Sequence, residues 1–145
     1  MRLSNYLVQM PMGRLLVNKY FLLIAAILYT ISLAIVSMMP TPEIPGAPDY
    51  SDKIFHVCAY IGFTALWFMF FYFYGIKNKT LRFAVFFTVA ISLLNGTVIE
   101  VMQGWLTTYR SADPADMVAN SVGILTCVLL IVALRPKLHE LKSKF

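Results

Sequence analysis

The sequence predicts an all-α bundle of four membrane-crossing helices, and three observations carry that prediction. Four long apolar stretches fill most of the 145 residues, 59% of the chain is hydrophobic against 13% charged, and the basic residues cluster in alternate connections. This balance, with a mean hydropathy of +0.72, lies outside the range of ordinary soluble domains. The alternation of positive charge is what a membrane topology imposes on a polytopic chain.

Residues 1–19 read as an N-terminal segment on the cytoplasmic side. Leu3, Tyr6, Leu7 and Met10 have helical spacing before Pro11-Met12-Gly13 breaks it, which fits either an interfacial amphipathic turn or a frayed end. The first span, Tyr20 to Met39, holds twenty residues without a charge. At about 1.5 Å of rise each these cover roughly 30 Å, the thickness of a bilayer's hydrocarbon core. Its apolar run is too long for a secretory signal, and no small-residue cleavage site closes it before Pro40, so it reads as a permanent helix.

The first connection, Pro40 to Pro48, carries four prolines in nine residues and is expected to be a stiff, extended surface loop. The second span runs from Ile54 to Ile76. A short basic connection, Lys77 to Arg82, then implies an antiparallel hairpin with the third span, Phe83 to Ile99, which ends on Glu100. The third connection leads to Asp113-Pro114, an N-cap followed by proline at the first helical position, and this starts the fourth span, Met117 to Leu134. Asp116, three residues after the cap, gives the spacing of a capping box with Asp in place of Glu or Gln. The membrane domain is thus 20–134, followed by a basic cytoplasmic tail, 135–145.

If all four spans cross, three segments share a side, and they hold every basic residue except Lys53 and Arg110. By the positive-inside rule both termini are cytoplasmic and the two long connections face outward. The net charge of +5 therefore reports topology and contact with anionic membrane lipids, with no need for a nucleic-acid partner. Cys58 and Cys127 fall within spans, where cysteine usually serves as a small hydrophobe. Nothing in the sequence asks for a cofactor.

Polar residues near the span ends collect on the outer side. Asp52, His56 and Tyr60 are four apart and form one helical stripe, with Lys53 beside it. Glu100 and Gln103 share a face of the third span, with Thr97 one turn earlier. Asp113, Asp116, Asn120 and Gly123 carry a third stripe into the fourth span. Ionisable and amide groups are costly in lipid, so each stripe should turn inward, and the three can converge on one pocket.

Each residue also has a plainer role. Asp113 and Asp116 can serve as helix caps, Arg110 can neutralise Asp113 or Glu100, Asn120 and Gln103 can hydrogen-bond between helices, and Gly123 can allow close packing. A lone interfacial histidine can simply be hydrogen-bonded to a neighbour.

In order along the chain, Asp52-Lys53-x-x-His56-x-x-x-Tyr60, Glu100-x-x-Gln103, and Arg110-Ser111 with Asp116-x-x-x-Asn120-x-x-Gly123 resemble the VanZ-like family of bacterial membrane proteins. The resemblance spans the last two thirds of the chain. It implies a bacterial cytoplasmic membrane and an association, carried in the family's name, with resistance to the glycopeptide antibiotic teicoplanin. The chain departs from the family in having Ile99 where a second acid often precedes the glutamate.

Three functions are compatible with such a pocket. The first is a binding module for the head group of a cell-envelope lipid, a lipid-linked precursor or a glycopeptide-related ligand. In it Arg110 and Lys53 would meet anionic oxygens, while Glu100, Gln103, Asp116 and Asn120 order the site. The second is an intramembrane hydrolase or transferase with His56 as acid or base, Glu100 or Asp116 orienting it, and Ser111 as the nearest nucleophile. The third is proton-coupled transport through His56 and Glu100, which four short helices without an inverted repeat support poorly unless a homo-oligomer creates the path. A divalent metal among Asp52, His56, Glu100 and Asp116 suits the ligand types, but no diagnostic spacing supports one and none is expected.

Overall fold

A computed structural model describes residues 18–40, 50–75, 80–108 and 113–143. Among these there are five α-helices and no strand: α1 (Lys19–Ser37), α2 (Ser51–Phe70), α3 (Leu81–Leu106), α4 (Pro114–Ala133) and α5 (Arg135–Lys142). A π-helical turn, Phe71–Gly75, extends α2. Helices α1 to α4, with α2 counted through Tyr74, are long and apolar enough to cross a membrane, and the chain is a multi-pass membrane protein.

Helix starts follow from local chemistry. Asn18 caps α1, its side-chain oxygen accepting from the amides of Tyr20 at 2.9 Å and Phe21 at 3.3 Å. Asp113 caps α4 in the expected way, accepting from Ala115 N at 2.8 Å with Pro114 in the first turn. The capping box is not closed, however. The Asp113 amide donates to Glu100 Oε2 at 3.2 Å, leaving Asp116 to turn toward α2.

The third span differs most from its sequence limits. Helix α3 continues past Ile99 to Leu106, because Glu100 and Gln103 are buried inside the bundle and hydropathy falls before the helix does. Within the basic tail, α5 folds back on the bundle. Tyr72 Oη and His139 Nδ1 lie 3.3 Å apart, and the Lys142 ammonium sits 4.5 Å from the centroid of the Tyr72 ring.

Lipid tails are as apolar as leucine, so burying hydrocarbon does not hold these helices together as it would in water. Close packing and hydrogen bonds between helices do. The most extensive packing joins α2 to α4. Gly123 makes it achievable: a Cβ added there would lie 2.5 Å from the backbone oxygen of Val57. Along α2, successive turns present His56, Tyr60 and Thr64, all buried, to the neighbouring helices. Tyr60 donates to Asn95 Oδ1 at 3.1 Å, and the Thr64 and Ser92 hydroxyls meet at 3.2 Å. Helix α1 is tied on by Tyr29 donating to the Ala59 carbonyl at 3.0 Å and by Trp67 Nε1 donating to Thr30 Oγ1 at 3.2 Å. At the α5 end the core is apolar, built from Phe68, Tyr72, Ala84, Cys127 and Ile131.

Candidate functional site

The C-terminal ends of α1 and α3 and the N-terminal ends of α2 and α4 meet at the other end of the bundle. There the polar residues singled out by sequence form a linked cluster. Lys53 is its hub. Its ammonium donates to Asp113 Oδ2 at 2.6 Å and to Asp116 Oδ1, and lies 3.7 Å from Asp52 Oδ2. The Asp116 side chain is only 5% exposed, so a paired cation is needed to offset the cost of its desolvated charge.

Behind the lysine sits His56. Nδ1 is 3.0 Å from Asn120 Oδ1, while Nε2 is 3.4 Å from Asp116 Oδ2 and 3.9 Å from Asp52 Oδ1. With an amide oxygen facing it, Nδ1 carries a proton and donates. Nε2 is the nitrogen that faces the carboxylates. Both oxygens of Asp116 are thus occupied, one by Lys53 and one beside His56.

Glu100 joins from α3, 2% exposed, accepting the Asp113 amide. The lysine and the helix cap act on Asp113 together. Its hydrogen bond to Lys53, and then that to the Ala115 amide, hold the carboxyl below the usual value of 3.8.

Not every candidate enters this cluster. Gln103 is buried, but its amide nitrogen donates to the Ser37 carbonyl at 2.7 Å, satisfying an end carbonyl of α1 that has no partner within its own helix. It ties helices together. Thr97 faces outward, its hydroxyl bonded to the Leu93 carbonyl at 3.0 Å. Tyr60 lies one turn below His56 and bonds Asn95. Arg110 and Ser111 lie outside the described residues, as do the proline-rich stretch 41–48 and the basic residues Lys77 and Lys79. Lys53, read from sequence as a contact for anionic oxygens, is already engaged by two carboxylates.

Asn95 is the polar residue that sequence reasoning passed over. Its signal was available, since an amide inside an apolar span needs a partner on a neighbouring helix. The nearest phenol stripe, which includes Tyr60, was already in view.

Asp52, His56 and Asp116 each offer a ligand atom, all within 4.8 Å of one another, a spacing compact enough for a cation. A divalent ion there would compete with the Lys53 ammonium for Asp116 and suffer repulsion from it. The donor set fits a metal poorly while the lysine holds its place.

No protein-family model, curated protein or solved structure matches this chain.

Proposed function

We propose that this chain is a VanZ-like protein of a bacterial cytoplasmic membrane, with both termini cytoplasmic, that recognises the head group of a cell-envelope lipid or lipid-linked precursor, or a glycopeptide-related ligand, at its outer polar end. One observation carries the reading. Carboxylates, an imidazole and an ammonium from three helices are held together at one end of an otherwise apolar bundle, where ionisable groups are expensive unless they serve a site. The order of the motifs Asp52-Lys53-x-x-His56, Glu100-x-x-Gln103 and Asp116-x-x-x-Asn120 supports the family.

The chemistry narrows the ligand. Asp52, Glu100, Asp113 and Asp116 supply four carboxyl groups against the single fixed cation of Lys53 among the described residues of the cluster. Carboxylates accept hydrogen bonds, so groups that donate them, such as sugar hydroxyls or an ammonium, suit this end of the bundle. To test this, chain purified in mild detergent is incubated with an extract of envelope lipids, and the retained lipids are identified by mass spectrometry. The wild type retains a defined lipid, and His56→Ala and Asp116→Asn lose it. Retention of the same lipids by all three proteins overturns the reading.

A second reading, an intramembrane hydrolase or transferase, rests on His56. Its Nδ1 pairs with Asn120 and its Nε2 lies 3.4 Å from Asp116 Oδ2, so an amide and a carboxylate orient the imidazole as an acid or base would need. Turnover of labelled envelope lipids that disappears in His56→Ala would select this reading over binding alone.

A further inference from the structure

The end of the bundle opposite the polar cluster has a charge pattern of its own. Among the described residues, Lys19, Arg82, Arg135, Lys137 and Lys142 stand there against one carboxylate, Glu140. The salt bridges between described residues all involve Lys53 or His56 at the other end. One carboxylate cannot neutralise five cations, so the excess positive charge must be met from outside these helices.

That charge is concentrated on α5. Leu134 closes α4 and opens α5, with Pro136 in the first turn, where its missing amide leaves no intrahelical bond unmade. Arg135, His139 and Lys142 follow at the spacing i, i+4, i+7, so they share one face of the helix. Leu138 lies beside this face and packs against the apolar core. Helix α2 orders two of the three basic side chains in advance. Tyr72, only 2% exposed, meets His139 Nδ1 through its hydroxyl at 3.3 Å, and its ring lies 4.5 Å from the Lys142 ammonium. Side chains held in place before a ligand arrives lose less entropy when it binds.

The level of this face is set by the fourth span, which ends at Ala133. Hydrocarbon gives way there to a head-group layer of roughly 5–7 Å. Leu130 and Leu134, both exposed next to α5, offer acyl chains an apolar surface immediately below the cations.

We propose that the Arg135-His139-Lys142 face of α5 docks the phosphate groups of acidic phospholipids in the adjoining leaflet. Arg135 brings the forked donors that suit a phosphodiester, and Lys142, seated on the Tyr72 ring, brings a point charge. A zwitterionic lipid fits less well, because its own ammonium meets the same cations. A soluble phosphate lacks the chains that rest on Leu130 and Leu134. This surface lies at the far end from the polar cluster and is independent of the function proposed there. It also differs from a general excess of positive charge, which would share the attraction among all five cations.

The test uses the full chain in maltoside detergent, titrated with phosphatidylglycerol or phosphatidylcholine, with bound lipid counted by native mass spectrometry. The wild type should hold the glycerol lipid about fivefold or more tighter, the worth of one basic residue at an anionic surface. Arg135→Gln with Lys142→Gln should remove that preference. Lys19→Gln with Arg82→Gln, an equal loss of charge at the same end, should leave most of it. An unchanged preference in the α5 variant, or an equal loss in both double variants, overturns the α5 face. Equal or weaker retention of the glycerol lipid by the wild type overturns the proposal outright. Excess glycerol phosphate should not displace the bound lipid, and displacement would assign the face to a soluble anion instead.

Discussion

His56 and Asn120 face each other across the α2–α4 seam, Nδ1 to Oδ1 at 3.0 Å, about one turn from where Gly123 lets the two helices touch. The bond is therefore made where the backbones leave the side chains little freedom to adapt. Asn120→Leu should leave the imidazole without its acceptor and lower stability by about 1–3 kcal/mol, the usual cost of a stranded buried donor. Thermal unfolding in detergent measures this, and an unchanged midpoint would show that water replaces the amide without loss.

Lys53 and Asp116 are unequal partners. The lysine is about one third exposed, while the aspartate is almost fully enclosed, so removing the cation strands a buried charge. Lys53→Met should cost about 2–3 kcal/mol, more than Asp113→Asn at the exposed side of the same lysine. Adding Asp116→Asn to Lys53→Met should recover most of that loss, and additive effects in the double variant would show that the two groups are not coupled.

The pH response has a defined sign. Asp113 has a folded-state pKa below its unfolded value of 3.8, so its contribution to stability is fully present above that value and is lost as the pH falls through the lower folded value. The acid limb of the stability profile should begin below about pH 4. Asp113→Asn keeps a competent helix cap but removes the titration, and its stability in that window should depend less on pH than the wild type's. Urea or dodecyl sulfate unfolding at several acidic pH values reads the difference.

Gly123 tolerates no side chain by simple adjustment, because the atom that a Cβ would meet is a backbone oxygen of α2. Gly123→Val should force α4 away from Val57 at a cost of about 1–3 kcal/mol and separate His56 from Asn120. The measurement is the unfolding midpoint together with lipid retention, both of which should fall. A variant that retains wild-type values would mean that the helices can slide apart freely.

The orientation is tested in intact cells. A single cysteine placed in the Pro40–Pro48 stretch, with Cys58 and Cys127 replaced, should react with a membrane-impermeant maleimide added from outside. Labelling that requires lysis would invert the topology and move the polar cluster to the cytoplasmic face.

Much of this architecture was legible in the chain, for identifiable reasons. Apolar runs of membrane length announced α1 to α4, and Asp113-Pro114 marked the start of α4 almost to the residue. The four-residue spacing of Asp52, His56 and Tyr60 correctly put three side chains on one face. The end of α3 was not legible, since a charge normally closes an apolar run and only the tertiary fold shows that Glu100 and Gln103 are enclosed. Partner choice was equally hidden. Asp116 has the spacing of a capping box, yet Lys53 and His56 on another helix claim both its oxygens, and Glu100 takes the Asp113 amide in its place. Gln103 had the right face and a different partner, because the depth at which α1 ends decides which carbonyl needs a donor.

The near-contact of Val57 and Gly123 has a mechanical meaning. Two helices in backbone contact rotate and translate together, so Asp52, Lys53 and His56 on one and Asp116 and Asn120 on the other travel as a single rigid plate. Nothing that enters the polar end can do so by parting them. Helix α3 meets this plate through Glu100, which accepts the Asp113 amide at 3.2 Å, and through Asn95, which accepts from Tyr60 at 3.1 Å, so the charges keep their spacing against a third helix as well.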